Sequence, residues 1–185
     1  MSIKYILYNP LSGNGKGEEL SKKLTDIYKD EELKYCNMTH ITSYGKFFDS
    51  ISPKSDIIIC GGDGTLNRFI NDSDGYPYEN PLYFYATGSG NDFMRDLGKE
   101  PGCKPIRINE YVRELPIVTV NGKSSRFINA VGYGIDGYCC EVGDELRAKS
   151  DKPINYTSIA IKGLLFRFRP ANAVITVDGK EYSYK

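Results

Sequence analysis

A chain of 185 residues is long enough for one sizeable domain, or for one domain and part of another. Its 24 lysine and arginine residues balance its 24 aspartate and glutamate residues, so no global positive field favours a nucleic acid partner. The 5 cysteines include no C-x-x-C pair, which argues against a zinc site and predicts reduced thiols in a cytoplasmic protein. No apolar run reaches the roughly 20 residues that a membrane-spanning helix needs, and the first residues are predicted to form a strand rather than a signal peptide.

The first half of the chain alternates strands with helices. Apolar and β-branched runs predict strands at 3–8, near 34–41, at 56–60 and at 82–86. Helices are predicted between and after them, at 18–28, near 45–51, at 65–72 and at 91–97. This alternation is typical of a doubly wound, mostly parallel sheet with helices on both faces. We therefore assign residues 1–105 to an α/β domain.

The second half is richer in β signals. Asn121-Gly122 and Asp178-Gly179 each lie between β-rich runs, and these dipeptides are strong hairpin signals. The predicted hairpins pair 115–120 with 127–131 and 174–177 with 181–184. One helix is predicted at about 154–168. We assign residues 106–185 to a partial second domain that is mainly β.

Three predicted strands run directly into glycine-rich loops that are followed by helices. The loops are 9–17, 61–65 and 86–90. Since the carboxyl ends of parallel strands lie at one edge of a sheet, the loops are expected to meet there. Glycine lets backbone N–H groups approach a ligand, and the start of a helix favours an anion, so the pattern predicts a nucleotide site. None of the loops completes a Walker A motif or G-x-G-x-x-G, and the alternative is that glycine serves turn geometry alone.

The motifs NPLSGNGKG, GGDGTLN and GSGNDFMRDLG, in this order and spacing, resemble the diacylglycerol kinase catalytic-domain family, the bacterial lipid kinases related to NAD kinases. The resemblance continues weakly through 127–130 and 134–137, where the family's second domain, a β-sandwich, begins. It implies an ATP-dependent transfer of the γ-phosphoryl group to the hydroxyl of diacylglycerol or a related lipid. An NAD kinase-like enzyme and a nucleotide-binding protein without catalysis are the alternatives.

The resemblance also implies a set of site residues. Those expected to bind the nucleotide are Asn9, Pro10, Ser12, Gly13, Thr42, Gly61, Gly62, Asp63, Gly64, Thr65, Leu66, Asn67, Gly88, Ser89 and Asn91. Ser89 stands where the family usually has threonine. Asp63 and Asp92 are the carboxylates expected to hold Mg²⁺, directly or through water. Both positions also suit a turn or helix-capping aspartate, which is the alternative interpretation.

Two departures from the family pattern concern catalysis. Many members carry an aspartate shortly before the Asn-Gly turn, whereas 116–120 contains no acid. The family's base and a further metal site are expected beyond residue 185, so no residue of this chain is assigned as catalytic, and we expect 1–185 alone to be inactive.

The expected partners are a nucleotide and a lipid substrate. Basic residues on the helix at 154–168 suggest transient contact with a membrane surface, against the alternative of a core helix with basic edges. The unpaired strand edge near residue 185 predicts dimers or aggregation.

Overall fold

The computed structural model describes residues 3–76, 79–88, 90–100, 102, 104–150, 154–167, 169 and 171–184. The chain divides into two compact units, Met1–Val131 and Gly132–Lys185. This division by compactness lies later in the chain than the domain boundary that the sequence places near residue 105, and that boundary stays a prediction.

The first unit is built on one five-stranded sheet. Its strands are β1 (Lys4–Tyr8), β2 (Leu33–Asn37), β3 (Asp56–Gly61), β4 (Leu82–Ala86) and β5 (Ile106–Arg107). The strand order is β2-β1-β3-β4-β5, in which the first four strands are parallel and β5 is an antiparallel edge. The apolar run of β3 places it at the centre, buried on both faces. The predicted doubly wound, mostly parallel sheet is confirmed.

Short helices cover both faces of this sheet. They are α1 (Ser12–Gly15), α2 (Gly17–Lys22), α3 (Leu24–Ile27), α4 (Tyr44–Asp49), α5 (Asp63–Asp72) and α6 (Asp92–Asp96), together with a 3-10 turn at Met38–His40. Successive side chains of a strand point to opposite faces. Accordingly, Ile57 and Ile59 pack in the cluster that contains residues of α4, α5 and α6. Ile58 packs in a second cluster with Leu24 of α3.

Two predicted elements of the first unit differ in their extent. The strand predicted near 34–41 ends at Asn37, whose Oδ1 accepts the N–H of Thr39 at 2.9 Å and so starts the 3-10 turn. The helix predicted at 18–28 is divided at Lys23 into α2 and α3. In α1, Gly13 and Asn14 have left-handed dihedral angles, so this segment remains the loop that the sequence predicts.

The first hairpin turns sooner than predicted. It consists of β6 (Ile117–Val120) and β7 (Lys123–Arg126), so the return strand predicted at 127–131 is wrong. Asn121 and Gly122 both have positive φ, 51° and 76°, as a two-residue type I′ turn requires, and the chain pairs back at once.

The second unit contains a helix that the sequence analysis missed. Its elements are α7 (Ile135–Lys149), α8 (Tyr156–Phe166), β8 (Ala173–Val177) and β9 (Lys180–Tyr184). The predicted helix corresponds to α8 and the predicted second hairpin to β8–β9. Helices α7 and α8 pack closely, since a Cβ at Gly143 would lie 2.7 Å from the Tyr156 ring. Across the described part of the chain, every helix falls short of the length and apolar character that crossing a bilayer demands.

Candidate functional site

The GGDGT loop and the loop after β4 touch through their glycines. A Cβ built on Gly88 would lie only 2.4 Å from the Cα of Gly62, so the observed approach requires glycine at position 88. The N–H of Thr87 also donates to the carbonyl of Gly61 at 2.8 Å. Since β3 and β4 are neighbours in the sheet, these contacts place both loops in one crevice at its carboxyl edge.

The first loop is tied to both of the others. Asn9 Nδ2 donates to Thr65 Oγ1 at 2.9 Å, which connects the loop to the start of α5. Ser12 Oγ lies 3.3 Å from Thr87 Oγ1. Gly13 has φ +57°, and a Cβ there would lie 2.7 Å from the carbonyl oxygen of Thr87. The structure therefore brings the three predicted loops together.

The start of α5 presents backbone donors at this edge. The N–H groups of Thr65 and Leu66 donate to the carbonyl of Gly62, at 3.0 and 3.1 Å. Those of Asp63 and Gly64 make no hydrogen bond within the described residues. Because the first N–H groups of a helix carry a partial positive charge, this turn suits an anion.

The side chain of Asp63 binds the backbone at the start of α6. Its two carboxylate oxygens accept the N–H groups of Asp92 and Phe93, both at 3.0 Å. Asp63 therefore fixes the start of α6 against α5, which is the capping role that the sequence left as an alternative.

The two predicted metal-binding carboxylates both lie close to one glycine, Gly90. A Cβ at Gly90 would lie 3.3 Å from Asp63 Oδ2 and 3.7 Å from Asp92 Oδ2. Asp92 is exposed and pairs with Arg95 at 2.9 Å. The described residues contain no group of three histidine, cysteine or acidic side chains that could hold a metal ion. Mg²⁺ commonly uses one or two carboxylates together with substrate phosphates and water, and this pair fits that mode.

Two asparagines of the site bury a side-chain oxygen without a donor. Among the described residues, Asn67 Oδ1 and Asn91 Oδ1 are buried and accept no hydrogen bond. Asn91 has φ 57° and donates from Nδ2 to the carbonyl of Gly88 at 2.8 Å. Asn67 lines a cavity of about 190 Å³ with Asp63 and the segment 127–130. An unsatisfied buried acceptor costs roughly 1–3 kcal/mol, so both oxygens are places where a ligand or water donor would be favourable.

Four other residues were predicted to bind the nucleotide, and the structure describes three of them. Pro10 is half-buried in the first loop. Leu66 is fully buried in the core, so only its backbone faces the loops. Thr42 is exposed between the 3-10 turn and α4, beyond the carboxyl end of the edge strand β2. Ser89 lies outside the described residues.

The sequence analysis did not select two residues that shape the site. Thr87 contacts the first loop through both its hydroxyl and its carbonyl. Gly17 is required because a Cβ there would lie 1.9 Å from the carbonyl oxygen of Asn9. Both residues lie within or next to the glycine motifs, and this position in the sequence could have identified them as site residues.

Comparison with known proteins assigns the family. The sequence model of the diacylglycerol kinase catalytic domain matches residues 4–120. The chain belongs to the diacylglycerol kinase catalytic domain family. It is 31% identical over 188 residues to a protein of Bacillus subtilis (strain 168) named diacylglycerol kinase, across 95% of this chain and 59% of that protein. It is 26% identical over 170 residues to a Staphylococcus aureus (strain JH9) protein provisionally named a lipid kinase, across 89% of this chain and 50% of that protein.

A solved structure shares the fold of this family member. It is a Bacillus anthracis (strain Sterne) protein provisionally named a diacylglycerol kinase, with a TM-score of 0.53 and 19% sequence identity. The match covers 98% of this chain and 60% of that one. The chain thus spans between about half and three fifths of the length of the proteins it matches.

Proposed function

We propose that the protein is an ATP-dependent lipid kinase, in which this chain supplies the nucleotide site and the acceptor is the hydroxyl of diacylglycerol or a related lipid. The observation that carries the proposal is the meeting of three glycine-rich loops at the carboxyl ends of β1, β3 and β4. Family membership supports the lipid as acceptor. Phosphoryl transfer depends mainly on positioning and charge stabilisation, which is what a rigid cradle of backbone donors offers.

Each part of the cradle has a proposed task. The free N–H groups of Asp63 and Gly64 bind phosphate oxygens at the start of α5. Asn9 holds the Thr65 hydroxyl at 2.9 Å, which orients its proton toward the phosphates. The close contact of Gly62 with Gly88 keeps side chains out of the space that the phosphates occupy. Asn91, with its unpaired buried Oδ1, accepts a hydrogen bond from the bound nucleotide or from water.

The two carboxylates close to Gly90, those of Asp63 and Asp92, are the proposed holders of Mg²⁺. The ion would neutralise phosphate charge when it is bound with the nucleotide. Asp63 is held by two backbone N–H groups, so its carboxylate is fixed in direction before any ligand arrives. Asp92 is exposed, so giving up its ion pair with Arg95 in order to bind Mg²⁺ would cost little free energy.

Selective binding tests the assignment against the NAD kinase alternative. We expect isothermal titration calorimetry to show binding of ATP with Mg²⁺ and no comparable binding of NAD⁺. Tighter binding of NAD⁺ than of ATP with Mg²⁺ would favour the NAD kinase-like enzyme.

Phosphoryl transfer is tested on the full-length protein, not on residues 1–185 alone, by offering diacylglycerol, ceramide, sphingosine and NAD⁺ with labelled ATP. The Bacillus subtilis diacylglycerol kinase serves as the positive control. Label in a lipid supports the proposal, and label in NAD⁺ contradicts it.

A further inference from the structure

A second cavity lies at the far end of α5 from the glycine loops. It measures about 190 Å³ and opens between the last turn of α5, the first residue of β4 and the end of β7. Its lining residues are Ile70, Ser73, Asp74, Gly75, Tyr76, Leu82, Asn109, Val112, Arg113 and Arg126. All of them belong to the first unit. Because Leu82 begins β4, this cavity is at the amino edge of the sheet, whereas the glycine loops are at the carboxyl edge.

The apolar part of the cavity lining is fixed by the core and by an aromatic stack. Ile70, Leu82 and Val112 are buried residues of the main core cluster. The ring of Tyr76 stacks on Phe48, with centroids 5.2 Å apart and an angle of 12° between the planes. A cavity of roughly 150 Å³ is known to accept benzene, so this volume accommodates a body about the size of one aromatic ring.

The mouth of the cavity carries excess positive charge. Arg126 donates from Nε to Asp74 at 3.0 Å. Its backbone is held by Asn71, which donates to its carbonyl at 3.0 Å and accepts its N–H at 2.9 Å. Arg113 is exposed and forms no ion pair within the described part of the chain. The lining therefore contains two arginines and one acidic residue.

The uncharged polar side chains of the lining each have a hydrogen-bond partner. Asn109 Oδ1 accepts the N–H of Leu82 at 2.8 Å, and its Nδ2 donates to the carbonyl of Asn80 at 2.9 Å. The Tyr76 hydroxyl donates to Asp49. The Ser73 hydroxyl donates to the carbonyl of Ile70 at 3.5 Å. The charged donors of the lining are thus the arginine N–H groups, which match an anion.

We propose that this cavity binds a small organic anion, a carboxylate or a phosphate monoester on a body about the size of one aromatic ring. The body packs against the ring of Tyr76 and the accessible edges of Ile70 and Val112. Arg113 holds the anionic group through paired hydrogen bonds, and Arg126 adds the N–H groups that Asp74 does not use. The site is independent of the nucleotide site, because the two lie at opposite edges of the sheet.

The test is an NMR titration of the isotopically labelled chain with benzoate, phenyl phosphate and the neutral control phenol. We expect at least one of the two anions to shift the backbone signals of Ser73, Arg113 and Arg126, and phenol to leave them unchanged. Comparing the two anions tells a carboxylate site from a phosphate site. Excess ATP with Mg²⁺ does not displace the bound anion.

Two charge-matched variants make this test decisive. Arg113→Gln should weaken binding of the anion at least about tenfold, since it removes the unpaired guanidinium. Lys123→Gln removes the same charge from the exposed start of β7, outside the lining, and should leave the affinity unchanged. The proposal is overturned by equal affinities of the two variants, by the absence of shifts with both anions, or by displacement with ATP.

Discussion

Individual residues of the candidate site have structural tasks as well as proposed ligand contacts. Asp63 is the clearest case. Its carboxylate accepts the backbone N–H groups of Asp92 and Phe93 at the start of α6, which lie 29 and 30 residues further along the chain. GGDGT in the sequence indicates a phosphate loop, but it gives no sign of this long-range contact. The motif was therefore identified from local chemistry, while the partners of Asp63 could be known only from the fold.

Replacing the two site aspartates one at a time tests the capping role of Asp63. Asp63→Ala removes two charge-assisted hydrogen bonds, and we expect it to lower the free energy of unfolding by about 1–3 kcal/mol. Asp92→Ala, the matched control, removes an exposed pair with Arg95 and should cost no more than about 0.5 kcal/mol. Urea unfolding followed by circular dichroism measures both. Equal losses in the two variants would contradict the capping role of Asp63.

The buried thiol of Cys60 gives a second prediction at this scale. Burial in β3 raises the pKa of the Cys60 thiol well above its ordinary value, so almost none of it is thiolate near pH 8. The thiol of Cys140 is exposed. We expect iodoacetamide to modify Cys140 quickly and Cys60 only after unfolding, as measured by peptide mass spectrometry. Similar rates for both cysteines in the native protein would show that β3 is not a buried central strand.

Secondary structure elements could be predicted where one local signal dominates. The apolar run of β3 and the glycines after β1, β3 and β4 give the parallel sheet and its functional edge. Helix α7 was missed because the glycines at 137 and 143 and the two adjacent cysteines, Cys139 and Cys140, obscure a helical pattern. The close approach of α7 to α8 explains the glycine at 143, and only the tertiary structure reveals that contact.

A side chain of α5 holds the end of the hairpin β6–β7. Asn71 makes two hydrogen bonds to the backbone of Arg126, at 2.9 and 3.0 Å. Asn71→Ala should destabilise the protein by about 1–3 kcal/mol, because the Arg126 groups lose their partner. Hydrogen exchange should then become faster in 117–126 while β3 stays protected. Arg68→Ala, at an exposed position of the same helix, is the control, and faster exchange in that variant too would argue against a specific role of Asn71.

At the scale of the whole molecule, the central question is whether the residues that bind ATP are also sufficient to phosphorylate a lipid. The chain covers 59% of the Bacillus subtilis diacylglycerol kinase. We propose that residues 1–185 bind ATP without measurable lipid phosphorylation, because the resemblance places the family's base beyond residue 185 and the lack of a general base costs about 10²–10⁴ in rate. Labelled ATP and diacylglycerol test this, with the Bacillus subtilis protein as the positive control. Robust phosphorylation by residues 1–185 would show that this stretch contains the base.

The most direct test of the central claim is calorimetric titration of ATP with Mg²⁺ into the wild type and Gly62→Val. A Cβ at position 62 lies 3.1 Å from the Cα of Gly88, so the larger valine side chain pushes the two loops apart. The control is Gly137→Val, because a Cβ at Gly137 meets no atom within 4 Å. Circular dichroism confirms folding, and Gly62→Ala is the milder alternative if valine prevents it. We predict that Gly62→Val binds ATP at least about tenfold more weakly than the wild type and that Gly137→Val binds it with unchanged affinity. Equal ATP affinity in the wild type and folded Gly62→Val would contradict the assignment of GGDGT to the phosphates.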